Sequence, residues 1–193
     1  VLFFLNREGR VYSCGSGYFG KLGHGNNDHK SIPTLITSID NIVQMSCCLG
    51  YCLLLNNKGQ VYGMGESKYY QLGVITDDFF ELNVPTLISS LSDIIFISCG
   101  EKFSLFLDKN GKVYFLGTDN HFNVYDKPLL VDVPGKIIKI APGSNHYLLL
   151  DDKGNVYGCG SNQSGQIGIC IGMNVIVPTL ITSLKNIRKI GCG

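Results

Sequence analysis

The sequence contains no tryptophan and no adjacent pair of glycines. Repeat architectures keyed on a Trp-Asp pair or on a Gly-Gly pair are excluded by those two absences. Charge is also scarce: 16% of residues are charged, the formal net charge is +1, and no run of Lys or Arg stands out. The chain therefore lacks the electrostatic footprint of a nucleic-acid or anionic-membrane binder. The apolar start, Val1 to Leu5, is too short for a signal-peptide core or a bilayer span. No Gly-x-Ser-x-Gly elbow occurs, and no Cys/His pair shares a loop, so nucleophilic catalysis is not expected. Cys47, Cys48 and Cys52 cluster, but no second pair at zinc-site spacing follows. Neither a metal nor a cofactor is expected.

What is abundant is glycine, 24 of 193 residues, and it is spaced regularly. A turn closing on Gly, one polar residue, Val-Tyr, two residues and a second Gly is written four times. The copies are EGRVYSCG (Glu8 to Gly15), KGQVYGMG (Lys58 to Gly65), NGKVYFLG (Asn110 to Gly117) and KGNVYGCG (Lys153 to Gly160). The turn glycines stand at 9, 59, 111 and 154, at spacings of 50, 52 and 43. A period near fifty assembled from strand-like pieces indicates propeller blades or a solenoid.

Each period holds four such pieces. The first alternates, as in Val43, Met45 and Cys47 against Gln44 and Ser46, which is strand periodicity. Its equivalents are Ser92 to Cys99, Gly135 to Pro142 and Lys185 to Cys192, and the residue before the last is always small: Ser46, Ser98, Ala141, Gly191. The second piece is continuously apolar: VLFFL, YCLLL, FSLFL, HYLLL. Such a run reads as a strand buried on both faces. The turns NREG, NNKG, DKNG and DDKG follow, with Asn or Asp and a closing Gly suited to tight hairpins. The Val-Tyr strand is third. The fourth begins near Pro33, Pro85, Pro128 or Pro178, and a proline there suits an edge strand. The fold expected is all-β, with β-propeller blades of four antiparallel strands in units 1–48, 49–100, 101–143 and 144–193.

The repeat also accounts for most cysteines. Cys47, Cys99 and Cys192 share one position, and Cys14 and Cys159 share another that is filled elsewhere by Met64 and Leu116. A slot accepting Cys, Met or Leu is an apolar packing slot. All five are expected to be reduced structural thiols, which fits a nuclear or cytoplasmic location.

The blocks VYSCGSGYFGKLGHG and VYGCGSNQSGQIG, the latter preceded by GSNHYLLLDDKG, resemble repeats of the regulator of chromosome condensation family. The fourth unit matches best, through His146, Gly154, Asn162, Gly165, Gln166, Ile167 and Gly168. Tyr51 and Phe103 stand where the family has His, and Phe122 to Tyr125 replace the expected Gly-Gln-Leu-Gly. The resemblance implies a propeller of seven four-stranded blades, with His146 making buried hydrogen bonds. It also implies guanine nucleotide exchange on a small GTPase such as Ran as one activity, although no wedge-length insertion and no basic tail are seen. The chain starts at Val1 and stops at Gly193 in phase with the repeat, and has no initiator Met, so it is expected to be part of a longer propeller.

Two motifs are set aside. Gly15 to Gly20 fits G-x-G-x-x-G, but the following LGHGNNDHKSIP is loop and not the helix a nucleotide site needs. Asn162-Gln163-Ser164 is a glycosylation sequon, discounted by the cysteine usage. The variable loops lie between the second Gly and the Pro. Loops in equivalent places of successive blades share one face, and such faces carry binding. The expected function is thus a non-catalytic interaction module for a protein partner, with exchange on a small GTPase, or service as the regulatory propeller of a larger ubiquitin ligase or kinase, as the alternatives. The candidate contact residues are His24, Asn26, Asn27, Asp28 and His29 in one loop and Asp77, Asp78, Phe79, Phe80 and Glu81 in the next. Adjacent aromatics ringed by acids describe either anchors for a partner or packing against their own blade.

Overall fold

The computed structural model describes residues 1–74, 80–169, 172 and 174–193. Fifteen strands form four antiparallel sheets among them. The first sheet holds β1 (Leu2–Leu5), β2 (Val11–Gly15) and β3 (Lys30–Leu35). The second holds β4 (Ile42–Cys47), β5 (Tyr51–Asn56), β6 (Val61–Glu66) and β7 (Glu81–Leu87) in that order. The third repeats the order with β8 (Ile94–Cys99), β9 (Phe103–Asp108), β10 (Val113–Thr118) and β11 (Val124–Val131). The fourth does so with β12 (Ile137–Pro142), β13 (His146–Asp151), β14 (Val156–Gly160) and β15 (Val175–Leu180). These are the propeller blades expected, and each four-stranded sheet takes its first strand from the end of the preceding repeat unit.

The hairpins after β1, β5, β9 and β13 show why Asn or Asp closes each apolar strand. Asn6, Asn56, Asp108 and Asp151 each accept two backbone N–H bonds through Oδ1, from the residues two and four places on, at 2.8–3.0 Å. Those donors face the turn, where no ladder partner exists.

The blades interlock through their first strands. Gln44 donates from Nε2 to the Ile97 carbonyl at 2.9 Å and accepts the Ile97 N–H at 3.0 Å. Ser46 Oγ accepts the Cys99 N–H at 3.0 Å. The small residue beside the Cys slot is what lets neighbouring strands approach this closely.

Four expectations are corrected. The alternation placed Val43 inward, but a bulge between Ile42 and Gln44 buries Ile42 (3% exposed) and turns Val43 out (56%). The segment Lys185 to Cys192 is not a strand. It lies in the right place, with the Ile187 N–H bonded to the Gly154 carbonyl at 3.1 Å, but no described strand pairs with it to complete a ladder. β1 is not buried on both faces: Leu2 is 61% exposed, because no first strand flanks β1 in its sheet. β5 and β9, which have that neighbour, are buried throughout.

The fourth concerns the thiols. Cys159 is buried, and Cys14, Cys99 and Cys192 are half-buried and free. Cys47, however, is exposed and forms a disulfide with Cys52, its partner across β4 and β5 at a Cα separation of 4.1 Å. The slot is a contact with the preceding blade's first strand: Cys99 donates to the Ser46 carbonyl at 2.9 Å and Cys192 to the Ala141 carbonyl at 3.1 Å. No described strand plays that part for Cys47, so its sulfur faces its own hairpin. Cysteine usage consequently carries no argument about compartment.

Candidate functional site

Odd and even connections alternate between the two ends of the blades. The tight hairpins mark one end, and the long loops from third to fourth strand mark the other. At this second end the loops lean on one another in sequence. Lys21 donates to the Leu49 carbonyl at 3.1 Å, Asn27 to Glu81 Oε2 at 3.1 Å, and Thr118 Oγ1 to the Tyr69 carbonyl at 3.1 Å. Contact between successive loops makes them one face.

The first candidate loop is largely self-organised. His24 Nε2 lies 3.0 Å from Ser13 Oγ, which spends its own proton on the Leu22 carbonyl at 2.7 Å. Nε2 is therefore the donor. His29 Nδ1 accepts the Gly17 N–H at 3.0 Å, and its ring meets the edge of Tyr18 at 4.9 Å. Asn26 Oδ1 accepts the Asp28 N–H at 3.1 Å. Gly17 is required here, since a Cβ would stand 2.1 Å from the Asp28 carbonyl. Asn26, Asn27, Asp28 and His29 are exposed, and His24 is half-buried and serves the loop.

Burial lowers the His24 pKa below its ordinary 6.5, and the Lys30 charge adds to this. The folded state then prefers the neutral ring. Stability from this group is full above the ordinary value and is lost as pH falls through the lowered one. An NMR pH titration is expected to place the His24 midpoint below 6.5, with amides of the His24–Lys30 loop moving in step. A midpoint at or above 6.5 would contradict the packing described.

In the second loop, Asp77, Asp78 and Phe79 lie outside the described residues. Phe80 is 42% exposed, and its ring meets the edge of Tyr70 at 6.2 Å. Glu81 joins the two candidate loops through Asn27. The structure thus brings Asn27 and Glu81 together and leaves Phe80 half-free.

Aromatics other than Phe80, none of them a candidate from the sequence, also crowd this end. Tyr18 is 63% and Phe122 81% exposed. Phe19, Tyr70, Phe80 and Phe122 all have positive φ, 64°, 60°, 51° and 62°. Bulky residues rarely adopt this conformation. Tyr70 and Phe122 occupy the place held in the first and fourth copies by Gly20 and Gly165, at φ 68° and 75°. The signal was legible as an aromatic five residues after Gly65 and Gly117, where the sister copies keep Gly.

His146 was expected to make buried hydrogen bonds. It is half-buried instead, its ring lies against Gly143, and its side chain has no hydrogen bond among the described residues. Burial lowers its pKa. The bonding falls to Tyr51, whose buried hydroxyl donates toward the Gly100 and Phe103 carbonyls at 3.0 and 2.5 Å.

The geometry matches a known repeat. The regulator of chromosome condensation (RCC1) repeat matches residues 8–55, 58–107 and 153–193, and a second form of it matches residues 137–166. The chain belongs to the RCC1 repeat family. The unmatched stretch 108–136 contains the shortened loop of the third blade. Among curated relatives, the E3 ubiquitin-protein ligase HERC2 of Mus musculus is 34% identical over 119 residues, covering 58% of this chain and 2% of that protein. The RCC1-like G exchanging factor-like protein of Mus musculus is 33% identical over 119 residues, covering 59% and 26%. The crystal structure of human WBSCR16 superposes with a TM-score of 0.86 at 25% identity, covering 99% of this chain and 53% of that one. The chain spans about half of that structure, which is consistent with part of a seven-bladed ring. Among the described residues, no helix is long and apolar enough to cross a membrane, and no group of three or more His, Cys, Asp or Glu is placed to hold a metal.

Proposed function

We propose that this propeller is a non-catalytic interaction module that binds a protein partner through the face built by the third-to-fourth-strand loops. One observation carries the reading. Phe122 and Tyr70 hold aromatic rings at backbone positions where glycine serves the sister blades. A bulky residue with positive φ costs on the order of 1–2 kcal/mol against glycine. Phe122, at 81% exposure, recovers little of that cost by packing within this chain. Phe122 is exposed, half-buried Tyr70 meets Phe80, and Glu81 after Phe80 holds exposed Asn27, so aromatics and polar groups with the composition of an interface hot spot and its rim lie among these loops. A nuclear or cytoplasmic setting suits the reading.

Nucleotide exchange is the second reading, favoured by the 33% identity to a protein named as an RCC1-like exchanging factor. An exchange factor acts by binding the nucleotide-free GTPase better than the loaded one. The two readings separate in one assay. A Ran-like GTPase loaded with fluorescent GDP is mixed with the chain, and release is followed in time. The module reading predicts release at the intrinsic rate; acceleration of about tenfold or more would replace it with exchange.

A further inference from the structure

In the first two blades the loop after the third strand fills the groove toward the next blade. A Cβ at Gly23 would stand 2.7 Å from Met64 Sδ, and one at Gly73 2.8 Å from Leu116. Leu22 and Leu72, beside those glycines, are fully buried. Cys159 holds the same slot in the fourth blade, but the third blade's loop is the shortened one. After Phe122 the chain passes directly into β11. The groove over Cys159 is left open as a cavity of about 310 Å³ between the third and fourth blades.

Its chemistry is uneven. One wall is aromatic: Phe103 and Phe115 stack at 5.2 Å, Tyr147 lies 6.0 Å from Phe103, and Tyr125 meets Phe115 edge-on at 5.6 Å. The charged residues lining it are Asp119 and Asp132, with no Lys or Arg among the described lining residues. Asp119 Oδ2 already takes a long bond from Tyr125 Oη at 3.4 Å and one from Asn123 at 2.9 Å. Asn174 also lines the cavity, and its buried Oδ1 has no hydrogen-bond donor among the described residues. The lysines of the adjoining cleft, Lys68 and Lys102, sit over the Tyr69 ring at 5.8 and 4.9 Å and do not line this cavity. Burial raises the Tyr147 and Cys159 pKa values, so both stay neutral donors-in-place and add no charge.

We propose that this cavity is a binding site for a small organic cation, a primary ammonium carrying an aryl or branched alkyl body. The body occupies the space that Leu116 and the preceding loop fill one blade earlier. The ammonium faces the ring surfaces, the Asp119 carboxylate and the unpaired Asn174 oxygen. Aromatic faces and a carboxylate both attract a cation, and the orphaned acceptor asks for a donor. The volume sits at the lower end for small-molecule sites. The site does not depend on the partner-binding reading, because its ligand is tested on this chain alone.

The test is an NMR titration with 2-phenylethylammonium and with 2-phenylethanol, which keeps the body and removes the charge. The ammonium is expected to shift resonances of Phe115, Tyr125 and Tyr147 saturably and to bind about tenfold more tightly than the alcohol. Asp119→Asn, which retains the turn-forming Oδ1, is expected to bring the two ligands to within about twofold of each other. Cys159→Leu, which installs the residue type of the third blade, is expected to abolish binding of both while the spectrum stays folded. Equal affinities in the wild type, shifts elsewhere, or unchanged ammonium binding in both variants would overturn the proposal.

Discussion

Gly117→Ala is expected to lower stability by about 3–5 kcal/mol and the melting temperature by about 10 °C. Gly117 opens the third blade's loop at φ 119°, and a Cβ there would stand 2.4 Å from the Lys102 carbonyl oxygen and 2.8 Å from Phe103 Cα. Both obstacles are backbone and cannot swing aside. The same arrangement recurs at Gly65 and Gly160, at φ 101° and 109°, with carbonyls of Gly50 and Asn145 at 2.4 and 2.6 Å. At each, the register of the third and fourth strands slips by a bulge. The glycine is therefore the hinge that turns the third strand out over its neighbour. Gly168→Ala is the comparison, because φ there is 78° and, among the described residues, a Cβ would come no nearer than 4.0 Å to another side chain or backbone. It is expected to cost about 1–2 kcal/mol, from backbone conformation alone. Calorimetric melts that found the two variants equal would remove close approach as the reason for the glycine.

Tyr51→Phe is expected to cost about 2 kcal/mol and about 4–8 °C. The Tyr51 hydroxyl lies in the second blade, is buried, and donates toward the Gly100 and Phe103 carbonyls of the third. Ser104 Oγ also reaches it at 3.2 Å, while giving its stronger bond to the Gln71 carbonyl at 2.7 Å. Phenylalanine fills the same volume and leaves the Gly100 carbonyl without its side-chain donor. Burial holds the phenol well above its ordinary pKa, so the hydroxyl keeps its proton and stays a donor at neutral pH. A melting temperature within about 1 °C of wild type would show that the hydroxyl does not bolt the blades together.

The blades themselves were legible because each signal was local and repeated. Asn or Asp before a closing Gly, β-branched Val beside Tyr, and Pro at the fourth strand state their structure within a few residues. What the sequence hid depends on neighbours. The burial of β1 and the strand character of Lys185 to Cys192 depend on strands beside them, which no local pattern encodes. The Cys47–Cys52 disulfide follows from cross-strand register, and the bulge at Ile42 shifts that register by one. The candidate site was half legible. Variable loops pointed to connections that share one end of the blades, and the hydrogen bonds by which His24 and His29 brace their own loop became visible only in the fold. Tyr70 and Phe122 were hidden because a positive φ is invisible until the sister glycines are aligned with them.

The loop face is tested most directly by Phe122→Gly combined with Tyr18→Ala. A partner captured with wild-type chain from extracts of the source organism is purified, and its affinity for both forms is measured by calorimetry. Glycine at 122 relieves the positive φ, so the melting temperature is expected to be unchanged or up to a few degrees higher, on the order of 1 kcal/mol of relief. Affinity is expected to fall about 30-fold or more, the loss of an interface anchor. Lys58→Glu, on the hairpin end of the second blade, is expected to leave affinity within about twofold. Undiminished affinity in the aromatic variant, or a comparable loss with Lys58→Glu, would contradict binding through the third-to-fourth-strand loops.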